Sequence, residues 1–271
     1  MRTLLACTCP LAIIAAASAV NAETSIATKA TAPVKTSTVK SGAPDDVKIT
    51  AAGSVVVPSG VAVTIDSAHK VANEGLIEIA GANNATGILA VSAAGGIVNS
   101  GKIELLETYT PVDADKDGDL DGPFAQGANR FGIRVAPGGA FAGDILNSGT
   151  IAIEGNDSAG IAVDSPLTGA LTSSGGISVV GDRSVGIRAG DVTGNVKLTG
   201  TIGVVGAGAK GVALGGDVGG ALTVQGTINA TGYRYTSPPA DPSKLDADDL
   251  LQGGPALHVG GNVAKGILLD A

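Results

Sequence analysis

Six copies of one phrase limit what this chain can fold into. "NEGLIEI" (73–79) returns as "NSGKIEL" (99–105), "NSGTIAI" (147–153), "SSGGISV" (173–179), "LTGTIGV" (198–204) and "VQGTINA" (224–230). Their glycines, Gly75, Gly101, Gly149, Gly175, Gly200 and Gly226, are spaced 26, 48, 26, 25 and 26 residues apart. Two residues after each stands Ile77, Ile103, Ile151, Ile177, Ile202 or Ile228. Four after each stands Ile79, Leu105, Ile153, Val179, Val204 or Ala230. Apolar residues at every second position mark a strand with one buried face. A fixed period near 26 residues marks a stacked repeat.

Each unit carries two more short strands. The second comprises "TGILA" (86–90), "FGIRV" (131–135), "AGIAV" (159–163), "VGIRA" (185–189), "KGVAL" (210–214) and "ALHVG" (256–260). The third precedes the next glycine, with Val71, Ile97, Ile145, Leu171, Val196 and Leu222 directed inward. Three strands per unit, joined by Gly, Asn and Asp turns, make one coil of an all-β parallel β-helix. No coil can bury its apolar face without neighbours above and below. Six coils at ~4.8 Å give a rod ~30 Å long. Aromatics are only 2% of the chain, with no Trp, which suits a core of layered aliphatics better than an irregular globule. The glycines after Asn or Ser read as turn positions that tolerate left-handed backbone. Asn73, Asn99 and Asn147 read first as turn residues, with a stacked amide ladder as the second reading.

Residues 1–22 read as an export signal: a basic start at Arg2, an apolar stretch interrupted by Pro10, and "VNA" with small residues at the cleavage positions. Cys7 ends a "LLAC" sequence like a lipoprotein box, but almost no apolar region precedes it. Both cysteines, Cys7 and Cys9, lie in this signal, so the exported chain has no disulfide, reactive thiol or cysteine-ligated zinc. Without Arg2 the chain holds 16 basic and 25 acidic residues, a net of −9, which does not favour nucleic acid as a partner. Residues 23–46, rich in Thr, Ala, Ser and Lys, read as an extended or disordered leader, and 47–271 as the β-helix.

The 48-residue interval holds an excess, "ETYTPVDADKDGDLDGPFAQGA" (107–128), and a second, "YRYTSPPADPSKLDADDLLQ" (233–252), follows Gly232. Both leave the coil between strands one and two, a corner where a solenoid accepts insertions without disturbing its core. All three tyrosines and Phe124 fall in these loops, which marks them as contact surfaces. The first loop holds Asp113, Asp115, Asp117, Asp119 and Asp121 at alternate positions. Alternating carboxylates followed by Gly118 match the first half of a calcium loop. An EF-hand is rejected, because Phe124 stands where the bidentate Glu belongs and no amphipathic helices flank the loop. A simpler DxDxDG-type calcium loop and a solvated acidic loop both remain open; no other cofactor is indicated.

Little points to catalysis. The outward row on strand two runs Leu89, Arg134, Ala162, Arg188, Ala213, His258, with no acid pair, and Arg134 and Arg188 lie two coils apart. Asp157 and Asp182 read as turn aspartates in matching positions of adjacent coils. His69 and His258 have no partners at ligand spacing, and no nucleophile motif or phosphate loop occurs.

The signal, the cysteine-free exported chain and coils of the type "NSGTIAIEGNDSAGIAV" resemble the passenger of a Gram-negative type V autotransporter. "DADKDGDLDGPFAQGANRFGIRV" is similar to loops in alphaproteobacterial passengers. The resemblance covers 47–271. It implies transit through the periplasm, display at the outer-membrane surface or release outside the cell, and a C-terminal membrane barrel. It also implies a non-enzymatic adhesive or surface-contact role toward a glycan or protein. The departure is the barrel, whose aromatic girdles cannot be built from three Tyr and three Phe. Ile267 to Ala271 align with Val71 to Gly75, which would leave an uncovered strand edge, so the natural protein is expected to be longer or this chain truncated. The alternatives are an exoprotein exported by a separate barrel partner and a polysaccharide-active β-helix enzyme.

Overall fold

The structure, a computed structural model, describes residues 23–114, 116, 120–233, 241, 243, 245 and 247–270. The expected signal therefore lies outside the described residues. The described chain is a β-solenoid of three parallel sheets of nine, eight and eight strands, with no α-helix among the described residues.

Strand one of each turn, for example Lys102–Leu105, Thr150–Glu154 and Gly176–Val180, pairs only with strand one of the turns above and below. The register aligns Ile77, Ile103, Ile151, Ile177, Ile202 and Ile228 one on another. All but Ile228 are at most 2% exposed. Strand two (Ala85–Ala90, Arg130–Val135, Ala159–Val163, Val185–Ala189) and strand three (Gly96–Asn99, Ile145–Asn147, Leu171–Ser173) stack in the same way. A fourth, shorter face lies between strands two and three, where Phe141–Ala142 pairs with Leu167–Thr168 and single bridges continue through Val192, Val218 and Val263. Phe141, Leu167, Val192 and Val218 on this face are all buried.

The glycines at the strand-one corner are needed for a different reason than turn conformation. None of Gly75, Gly101, Gly149, Gly175, Gly200 and Gly226 has left-handed φ. Instead, a Cβ on each would overlap the carbonyl oxygen of the equivalent glycine in the preceding turn. Close stacking of backbone on backbone is what excludes a side chain. A column of left-handed residues sits at the other corner, just before strand two: Asn84, Asn129, Asp157, Arg183 and Gly208.

The buried asparagines form the ladder. Asn73 Nδ2 donates to Asn99 Oδ1 at 2.7 Å, Asn99 Nδ2 to Asn147 Oδ1 at 2.8 Å, and Asn147 Nδ2 to Ser173 Oγ at 3.3 Å. All three asparagines are fully buried, and parallel stacking lets one amide satisfy the next, as buried polar groups require.

Residues 23–46 correct the expectation of a disordered leader. Thr24–Ile26, Lys29–Ala30 and Val34–Lys35 form a first turn, pairing with Val47–Ile49, Ser54–Val56 and Val61–Ile65. Ile26, Ala30, Val34 and Val39 pack on the core. Thr36, fully buried, donates to Asp66 Oδ1 at 3.3 Å and accepts from the Ser67 hydroxyl at 2.8 Å. This turn and the one at 47–66 bring the total to about eight rather than six, a rod ~38 Å long at ~4.8 Å per turn.

Candidate functional site

Both insertions do leave between strands one and two. The first starts after Lys102–Leu105 and ends at Arg130–Val135, and the second starts after Thr227–Thr231 and ends before Leu257–Val259. The first is fastened at its base by a buried ion pair. Glu107 Oε1 meets Arg130 Nη1 at 2.9 Å, with side chains 5% and 2% exposed. Arg130 Nε donates to Ala82 O at 2.7 Å, and its Nη1 also donates to Glu154 O. The Glu107 carboxylate accepts the backbone N–H groups of Gln126 and Gly127, where the loop returns. Asn156 Nδ2 holds Ala125 O at 2.9 Å, and Asn83 Oδ1 holds Ala128 N at 2.9 Å. Phe124, expected as a contact residue, is 7% exposed and serves as an anchor beneath the loop.

At its outer end the loop doubles back, with Asp121 N donating to Val112 O at 2.9 Å and Ala114 N to the Asp121 carboxylate. Gly122 N then donates to Asp248 Oδ2 of the second insertion at 3.0 Å. The two loops therefore meet across three intervening turns. Of the aspartates proposed as calcium ligands, Asp113 and Asp121 are described, and Asp115, Asp117 and Asp119 lie outside the described residues. Among the described residues no three His, Asp or Glu side chains gather as a metal site.

Beside the foot of the first loop, the outer face of strand two carries a second feature. The register places Leu89, Arg134, Ala162, Arg188, Ala213 and His258 in one outward row. Phe131 packs with Ala159 and Ala162 in a small apolar cluster separate from the main core. The guanidinium carbons of Arg134 and Arg188 stand 4.3 and 5.2 Å from the ring centroid. One carboxylate joins them: Asp164 Oδ2 accepts Arg134 Nε at 2.8 Å, and Asp164 takes Arg188 Nε and Nη2 at 2.8 and 3.0 Å. Burial pushes the Asp164 carboxyl up, but Arg188 and then Arg134 outweigh it and hold the group below the ordinary carboxylate range. With Asn84, Thr86, Asn129 and Asp157, the side chains of Phe131, Arg134 and Arg188 line a polar hollow of about 300 Å³. Arg188 also lines a neighbouring hollow of about 480 Å³ with Asp164, Ser165 and Asp191.

Sequence reasoning found the two arginines and missed their partner. The period held the signal, since Asp164 follows Arg134 by 30 residues and precedes Arg188 by 24, one turn either way. Asp157 and Asp182 do not occupy matching positions as expected. Asp182 N donates to Asn156 Oδ1 at 2.8 Å, and the residue stacked on Asp157 is Arg183, which forks onto it at 2.8 and 2.7 Å. The Arg183 guanidinium holds the Asp157 carboxyl below its usual range, against a smaller effect of burial. His69 Nδ1 lies 3.0 Å from Asp46 Oδ1, while His258 ends the outward row. A trough of about 630 Å³ follows the glycine corner, lined largely by Gly, Ala and Ser, and offers little beyond backbone.

The fold and these surfaces define the class as a parallel β-solenoid with decorated corners. Comparison with protein-family models, curated proteins and solved structures finds no match.

Proposed function

We propose that this protein is a non-enzymatic, exported β-solenoid displayed at the cell surface in the manner of an autotransporter passenger, and that it acts by contact. The observation that carries this reading is the meeting of the two insertions through Gly122 and Asp248. Two loops four turns apart in the stack, thrown from one corner and touching each other, make a single raised surface on an otherwise regular rod. The arginine hollow opens at the same corner, since Asn129 follows the first loop directly and lines it. Contact residues concentrate on loops that a rigid scaffold positions. A rod with its core spent on stacking has its outward positions free for such a surface.

The test has two parts. In cells of the source organism, an epitope placed in the 233–252 loop should be reached by antibody and by added protease without breaking the cells. Retention inside intact cells overturns the export reading. Incubation of the purified protein with a panel of polysaccharides should leave chain length unchanged. Turnover abolished by Asp157→Asn or Asp164→Asn overturns the non-enzymatic reading. An in-frame barrel after codon 271 supports the passenger form, and a neighbouring transporter gene supports the separately exported form.

A further inference from the structure

We propose that the hollow between Asn84, Asn129, Asp157 and the paired arginines binds an anionic sugar unit of a polysaccharide, its acid group on Arg134 and Arg188. The inference deepens the contact reading above and rests on it.

Charge comes first. Arg134 and Arg188 share one carboxylate, Asp164, while Arg183 faces Asp157 and feels Asp182 as well. The group around the Phe131 ring, Arg134, Arg188 and Asp164, therefore keeps one positive charge in excess on a chain of net charge −8. That excess is held in place, because both guanidiniums lie against the Phe131 ring and are tied to Asp164. Donors come next. Asp164 takes Nε of Arg134 and Nε and Nη2 of Arg188. Among the described residues, neither Nη of Arg134 nor Nη1 of Arg188 has a protein acceptor. Planar N–H groups fixed in this way are suited to carboxylate or sulfate oxygens, and little ordering cost remains to be met on binding.

The rest of the lining selects a polyhydroxy ligand. Phe131 is only 6% exposed beneath its arginines, so the hollow offers no bare apolar anchor for a lipid chain or a hydrophobic side chain. The opposite wall is Asn84 and Asn129, joined amide to amide at 3.2 Å, and Asp157, fixed by Arg183. The two amides donate and accept and the Asp157 carboxylate accepts, as sugar hydroxyls require. A hollow of about 300 Å³ is at the small end of ligand sites, and Arg188 stands between it and the next hollow. A ligand that continues past Arg188 along the rod is a polymer.

The test is calorimetric titration of the purified protein with oligogalacturonate, dextran sulfate and neutral dextran. The first or second should bind with Kd below ~1 mM and weaken as salt rises, and which one binds separates carboxylate from sulfate. Neutral dextran should not bind. Arg188→Lys keeps the charge and loses the fork, and should weaken binding about tenfold; Arg134→Gln should do at least as much. Lys197→Gln, on the strand-three face, should leave it unchanged. A circular-dichroism melt of each variant shows whether it is folded. Absence of binding by both anionic glycans, equal binding of neutral dextran, or equal weakening by Lys197→Gln overturns the inference. Shortening of the bound glycan would instead refute the non-enzymatic reading and leave the site standing. Failure of the surface-exposure test would likewise not touch binding by purified protein.

Discussion

Removing either partner of the Glu107–Arg130 pair should cost far more than a surface ion pair would. Both side chains are at most 5% exposed. Glu107→Ala leaves the Arg130 guanidinium buried with only the carbonyl groups of Ala82 and Glu154, and deprives the amides of Gln126 and Gly127 of their acceptor. Arg130→Met leaves the Glu107 carboxylate buried against the Gln126, Gly127 and loop-end backbone without a cation. Breaking a buried pair from one side costs about 3–5 kcal/mol. The double variant Glu107→Ala/Arg130→Met removes both charges, so its cost is mainly the lost backbone partners, about 1–3 kcal/mol. The two single losses therefore should not add, and a coupling energy of at least about 3 kcal/mol is expected, at the top of the range for residues in direct contact. The assay is urea denaturation followed by circular dichroism for the rod and by fluorescence of Tyr109, with Tyr233 and Tyr235 changed to Phe. Each single variant should lower the Tyr109 transition more than the rod transition, because a solenoid unfolds through local contacts. Singles that each cost less than about 1 kcal/mol, in the range of exposed pairs, would refute the buried-staple reasoning.

Asn99→Ala should destabilise by about 2–4 kcal/mol in the same melts, combining a lost buried hydrogen-bond chain with a small cavity. Asn99→Asp should be worse, since a carboxylate oxygen in place of the Nδ2 donor would face Asn147 Oδ1. Gly160→Ala should cost at least about 1–3 kcal/mol by overpacking, because the new Cβ would overlap Ile177 Cγ2 and lie 2.7 Å from Gly186 O. Gly203→Ala, with open space around it, should stay within about 0.5 kcal/mol of the parent. The carboxyls of Asp45, Asp66, Asp157 and Asp164 are all held below their ordinary range in the fold. The unfolded chain therefore binds protons more readily, so their contribution is complete above pH ~4 and is lost as pH falls through the lower folded values. A melting series from pH 6 to pH 2 should show this decline, and Asp164→Asn should make it shallower. An unchanged slope in Asp164→Asn would remove Asp164 from the account.

The regular turns were legible because each inward position repeats a branched aliphatic at a constant interval. Ile103, Ile151 and Ile177 need no structure to be aligned. The first turn escaped notice because its strands are two or three residues long and its inward side chains, Ile26, Ala30 and Val34, are weakly apolar or widely spaced. Its distance to the next turn also varies, with Thr24 opposite Val47 but Val34 opposite Val63, so no period announces it. The glycine corner was found for an incomplete reason: positive φ can be guessed from one residue, whereas the approach of Gly149 to Gly101 O belongs to two turns at once.

The same distinction explains why the candidate site was only half visible. Inward positions obey the stack, so a sequence repeats them; outward positions obey whatever they touch, so they do not repeat. Arg134 and Arg188 could be read as members of a row, but their relation through Asp164 crosses the strand end, and Phe131 becomes a platform only because Ala159 and Ala162 follow it in the stack. Arg130 is the clearest case. Its equivalents in neighbouring turns are Ala85 and Ser158, small residues that the corner accommodates with backbone partners alone: the Ser158 hydroxyl donates to Asn156 O and accepts the Arg130 N–H. A guanidinium fits there only in the turn that carries the long first loop, because that loop brings Glu107 back over it. The loop and the residue that fastens it are thus one departure from the repeat, and the surface they hold up is where the rod's chemistry differs from turn to turn.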